Sequence, residues 1–200
     1  MKCVPVLVAM LVIAGCASVA LVTPASNQAL TLPPPNKAQI VFVDPANAVA
    51  GAFLTGIYDV NDTDKVLLGM LGSKMKSAVL VDPGHHFFMA HTLSTSHFLD
   101  ANVEGGKRYY VLLRFIYGHG MQLRPLRSSG PSDYSVNNAK FDEWLSESAF
   151  VEKTPDADAW YGKYKDTVDK AQAEALVDWR AKTMEQRAEL TLNVADFVQR

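Results

Sequence analysis

The chain has 200 residues, with 19 Lys and Arg against 21 Asp and Glu, and a formal net charge of −2. Charge this close to balance argues against a nucleic-acid partner, which calls for a basic excess that displaces counterions from phosphates. With 48 % apolar residues and two cysteines, the fold must stand on an ordinary core rather than on a disulfide framework.

The first element is a signal. Lys2 precedes an apolar run from Val4 to Ile13, closed by Ala14, Gly15 and Cys16. A positive start, a short apolar stretch and two small residues before a cysteine resemble a bacterial lipoprotein signal peptide. There a diacylglyceryl group is attached to the cysteine thiol and the chain is cut just before it. The run is too short to span ~30 Å of hydrocarbon. Residues 1–15 therefore read as signal peptide and Cys16 as the lipidation site. Processing removes Cys3 as well, so no intrachain disulfide remains. Two or more acyl chains hold firmly, each buried methylene contributing ~0.8 kcal/mol. Ala17 and Ser18 rather than an acidic residue follow Cys16, which points to the outer membrane, facing the periplasm.

Residues 16–37 are rich in Ala, Ser, Thr, Asn and Pro and end in Pro33-Pro34-Pro35. They read as a tether whose last part is stiff polyproline. The alternative is that Leu30 and Leu32 dock on the folded part. Residues 38–127 then carry strand signals: Ala38 to Val43, Phe53 to Val60, Lys65 to Leu71, Lys76 to Val81, His85 to Leu93, His97 to Val103, Arg108 to Tyr117 and Met121 to Leu126. Asp82-Pro83-Gly84 suits a type II turn, whose twist does not match a tight hairpin, so a wider connection is expected there. Eight short strands at about ten-residue spacing predict an antiparallel sandwich or barrel.

Residues 128–200 change period. Phe141, Trp144 and Leu145 suit a short helix with one apolar face. Thr154, Pro155, Asp156 and Asp158 form a helix start, with Thr as N-cap and Pro at the first helical position. Trp160, Tyr164, Val168, Ala171, Ala175 and Trp179 make one stripe on a helix that extends to about Glu189, ~50 Å long. Packing on the β domain is the expected use of this stripe. An exposed partner-binding face at Trp160, Tyr164, Val168 and Trp179 is the sharper alternative. The fold class is thus α+β: an antiparallel β domain followed by a helical C-terminal extension.

Chemistry is sparse. Histidine alone clusters, at His85, His86, His91, His97 and His119. His85 and His91 are ~20 Å apart along one strand, so they share no metal. His91 and His97 could meet across the Thr92–Ser96 loop, with Asp100 as third ligand. No Gly-x-Ser-x-Gly elbow and no free thiol is present in the processed chain. Asp142-Glu143 and Asp156/Asp158 fit helix starts, where the dipole favours anions. Gly105-Gly106-Lys107 precedes a strand, unlike a phosphate-binding loop. Lys107, Arg108, Arg114, Arg124 and Arg127 form a modestly basic stretch suited to anionic lipid or lipopolysaccharide headgroups.

Several pieces taken together resemble an uncharacterised family of bacterial lipoproteins with a PEGA-like β domain. They are Ala38 to Phe42, Ile57-Tyr58-Asp59, Leu68-Gly69, Pro83 to Phe88, Phe98 to Val103, Gly106 to Val111 and Leu123-Arg124-Pro125. The resemblance implies a β fold and an envelope location, and brings no catalytic residues with it. The expected function is non-catalytic and without cofactor: a lipid-anchored envelope protein that binds or scaffolds another envelope component, most simply a protein partner. The alternatives are a small cell-wall hydrolase or metal-dependent enzyme, cued by an accessible His91, His97 and acid cluster, and a glycan or lipid-headgroup module, cued by exposed Tyr or Trp rings beside Arg114.

Overall fold

The computed structural model describes residues 20–46, 53–61, 64–93, 95–130 and 133–198, so the signal peptide and Cys16 lie outside the described residues. Its strands are β1 (Val22–Pro24), β2 (Ala38–Asp44), β3 (Thr55–Val60), β4 (Lys65–Leu71), β5 (Met75–Val81), β6 (Gly84–Thr92), β7 (Thr95–Val103), β8 (Arg108–Ile116), β9 (Gly120–Pro125), β10 (Ala149–Lys153) and β11 (Thr191–Leu192). Its helices are α1 (Phe141–Ser146), α2 (Pro155–Ala181) and α3 (Met184–Glu189), followed by a short 3-10 turn at Val194–Asp196.

Two sheets result, ordered β1-β10-β5-β2-β8-β9 and β11-β7-β6-β3-β4. Most pairings are antiparallel, but β2 runs parallel to β8 at the centre of the first sheet. β2 explains the layering. All of Ala38 to Asp44 is buried, the signature of a strand covered on both faces. Ile40 and Phe42 meet Ile57, Phe88 and Leu99 of the second sheet in a shared core, while Val41 and Val43 pack with Phe141 of α1 on the opposite side. Each fully buried Phe contributes about 2 kcal/mol. The outer face of the second sheet, with Tyr58, Met89 and Phe98, is covered by α2. The architecture is mixed, β-rich and sandwich-like.

The eight strands expected from the sequence are β2 to β9, with ends that differ by at most two residues. Asp82-Pro83 carries the chain from β5 in one sheet to β6 in the other, a wide connection rather than a hairpin. The last third differs from a purely helical extension. β10 inserts between β1 and β5, and β11 adds to β7, so residues 128–200 supply strands to both sheets. The long helix stops at Ala181. Thr183 then accepts from Gln186 N while Gln186 accepts from Thr183 N, a capping box that starts α3 in a new direction.

The tether is also corrected: from residue 20 onward it is part of the fold. Val22 pairs with Lys153 and Pro24 with Val151. The Gln28 side chain both donates to and accepts from the Phe150 backbone, at 2.9 and 2.8 Å. Leu30 packs against the α1-side core, whereas Leu32 stays exposed. The proline run is held by the β7–β8 turn, where Gly106 N donates to Pro34 O and Lys37 O at 3.2 and 2.9 Å. A Cβ on Gly105 would collide with the Pro35 carbonyl, so this turn needs glycine for close approach.

Candidate functional site

A cleft of ≈ 510 Å³ opens at one end of the first sheet, lined by Ala46, Arg114, Phe115, Tyr134, Lys140 and Trp144 among others. Strand register builds it. On β8, Tyr110, Leu112 and Arg114 share the face that carries α1, because alternate residues point the same way. Val43, next to the last residue of β2, is level with Leu112, so Arg114 projects beyond the neighbouring strand into solvent. Leu112 pairs with Arg124 of β9, which puts both arginines on one face. The loop after β9 folds back through Arg127 N to Tyr134 O at 2.9 Å and Val136 N to Arg127 O at 3.0 Å. That reversal lays the Tyr134 ring beside both guanidinium groups, 5.7 Å from Arg114 and 4.3 Å from Arg124.

The basic stretch expected from the sequence is divided by the fold. Arg127 is tied to Asp196 at 2.6 Å and to the carbonyls of Thr191 and Ala188. Arg108 is buried against Gln39, and Lys107 pairs with Glu104. Arg124 reaches Glu189 at 3.1 Å. Among the described residues, Arg114 is in no ion pair, so its charge is available at the rim of the cleft. Phe115 and Tyr117, 45 % and 92 % exposed, continue the aromatic surface into the β8–β9 turn. Tyr134, Lys140 and Trp144 were not singled out as cleft residues in the sequence. A lone tyrosine inside a Ser-, Pro- and Asp-rich loop was the available signal.

The histidines do not converge. His91 pairs across the strands with Ser96, and Ala90 with His97, so His91 and His97 point to opposite faces. His91 is buried and bonded to Ser96 Oγ at 3.0 Å; burial lowers its pKa. His97 Nε2 donates to His119 O at 2.6 Å, and burial lowers its pKa too. Asp100 pairs instead with His85 at 2.5 Å. Among the described residues, no three His, Cys, Asp or Glu side chains are placed to hold a metal ion.

His86 lines a second cleft, of ≈ 670 Å³, with Asp59, His85, Gln172 and Arg180. Its Nδ1 is 2.7 Å from Asp59 Oδ2 and its Nε2 is 2.8 Å from the Asp82 carbonyl. Both ring nitrogens are therefore engaged, which leaves no lone pair for general-base work. The Asp59 carboxylate raises its pKa, against the opposing effect of burial.

The stripe on α2 faces inward. Val168 is fully buried, Trp160 and Trp179 are half-buried, and Tyr164 is 39 % exposed. Trp179 meets Phe87 and Phe98 edge-on at 5.2 and 6.2 Å. An open apolar groove along Trp160, Tyr164 and Trp179 is thus not what this helix presents. Asp142 and Glu143 lie in the first turn of α1, and Asp156 and Asp158 in that of α2. The Thr154 hydroxyl does not cap α2; it donates to Ala20 O at 2.7 Å.

No protein-family model and no curated protein matches this chain.

Proposed function

We propose that this chain is a lipid-anchored, non-catalytic protein of the bacterial envelope whose Arg114 cleft binds another envelope component, an acidic glycan. The observation that carries the reading is the Arg114–Tyr134–Arg124 arrangement beside Trp144 and Lys140. A guanidinium offers paired donors to a carboxylate or phosphate. Flat aromatic rings offer apolar faces to a sugar while their polar edges stay wet. The two competing cues fare less well. The His91 and His97 side chains point apart, and Val168, Ala175 and Trp179 of the α2 stripe are spent on packing.

Anchoring through Cys16 remains part of the proposal and rests on the Ile13-Ala14-Gly15-Cys16 pattern, as does the outer-membrane, periplasm-facing location. Kinship with PEGA-like lipoproteins likewise belongs here, resting on pieces such as Gly106 to Val111. The test is co-sedimentation of the full chain with purified insoluble cell-wall glycan. Retention should fall severalfold in Arg114→Ala and in Tyr134→Ala, weaken with salt, and release no soluble sugar fragments. Equal retention of both variants would contradict the assignment of the cleft.

A further inference from the structure

We infer that the corner formed by Ala20, Thr154 and the first three turns of α2 lies against the bilayer that holds Cys16, with Trp160 and Tyr164 at headgroup level. The inference rests on lipidation of Cys16 and goes beyond it by fixing which face meets the lipid.

Covalent reach is the first argument. Among the described residues, the first hold on the chain is at Ala20: its carbonyl accepts from the Thr154 hydroxyl, and Leu21 O accepts from Thr154 N at 3.1 Å. The four residue steps from Cys16 to Ala20 span at most ~14 Å even when fully extended. A 20-residue tether would have let the body drift ~70 Å away; this one holds it at the surface. Ala20 therefore stays within a short radius of the acylated residue.

Composition is the second. Leu21 and Val22 share a cluster with Trp160 and Tyr161, so the anchor side of the fold runs directly into the aromatic pair. Trp160 and Tyr164 lie about 9 and 15 Å along α2 from Thr154. Their rings are 5.2 Å apart, and the Lys163 ammonium is 5.3 Å from the Tyr164 ring. Rings with one wet edge, next to a lysine whose stem can lie on apolar surface, suit the headgroup layer. Asp158 and Asp169 are matched by Lys153, Lys65 and Lys165, while Asp156 and Asp166 are in no ion pair among the described residues, so the aromatic pair and Lys163 rather than charge favour this face.

The third is direction. Counting register from β1 through β10, β5 and β2 to β8, Arg114 lies four strands across and about seven residues along from Ala20. That is about 30 Å, at the opposite end of the sheet. The cleft then lies at the end of the sheet remote from the anchored corner.

The experiment uses the full chain produced in a bacterium that processes lipoproteins, and reconstituted in phosphatidylethanolamine–phosphatidylglycerol vesicles. Intact mass reports acylation of Cys16. A fluorophore is placed by Lys163→Cys or, as the distant control, Tyr117→Cys, both leaving Trp160 and Tyr164 in place. Lipid-borne quencher at headgroup depth should quench the label at position 163 severalfold more than the label at 117. Acylated protein with equal quenching at the two positions would overturn the face while leaving the anchor intact. Absence of acylation at Cys16 would overturn both.

Discussion

His86 Nδ1 sits 2.7 Å from the Asp59 carboxylate, and its Nε2 sits 2.8 Å from the Asp82 carbonyl. Both partners only accept, so the ring that satisfies them carries two protons. It joins β3, β6 and the turn between the sheets as a charged strut. Its folded pKa is raised above the ordinary value. The stability it contributes is therefore complete below the unfolded pKa, near 6.5, and is lost as pH rises through the higher folded value. His86→Gln should lower Tm clearly at pH 5.5 and little at pH 8.5, read by thermal denaturation across pH.

Asp44 titrates with the opposite cause but the same trend. It is fully buried at the end of β2, with Oδ2 unpartnered among the described residues. Burial pushes its pKa from 3.8 up to about 6, although the Ala46 N–H works the other way. The folded state thus keeps a proton that the unfolded chain has already lost. Stability falls as pH climbs through that window, by about 3 kcal/mol in all. Asp44→Asn should flatten the dependence between pH 4 and pH 7, as measured by urea unfolding at each pH.

Trp179 is packing rather than display. It closes over Phe87 and Phe98 on the outer face of the second sheet. Trp179→Ala removes that contact and leaves a gap, at a cost of about 3 kcal/mol. Tyr164→Ala, on the exposed side, should cost well under 1 kcal/mol. Denaturant midpoints for the two variants check the contrast, and similar losses would contradict the placement of the stripe.

The legible part of the fold was the part with strong local signals. β2 to β9 combine β-branched or aromatic runs with Pro, Gly, Asn and Asp punctuation, and long strands of that kind announce themselves. β1, β10 and β11 do not. β1 is three residues ending in a proline, and β11 is two residues; each exists because a neighbouring strand offers an open edge. The break before α3 was readable, since Thr183-Met184-Glu185-Gln186 has the capping-box spacing. The apolar stripe ends at Trp179, so it gave no reason to carry the helix past that signal to Glu189. The cleft depends on Tyr134 meeting Arg124, a contact set by a chain reversal rather than by spacing. The His86–Asp59 bond, between strands far apart in sequence, was hidden for the same reason.

Metal removal offers a further check. His85, His86, His91 and His97 are each engaged with a separate partner. Prolonged dialysis against a chelator should leave Tm unchanged, and a marked drop would mean that a metal holds part of the fold.

The anchor is the claim on which location, orientation and access to the cleft's ligand all depend. Its most direct test is envelope fractionation of the wild-type chain beside Cys16→Ser. The wild type should sediment with membranes and carry acyl chains on Cys16, while the variant should move to the soluble fraction. A Cys16→Ser chain that still sediments with membranes would contradict the account.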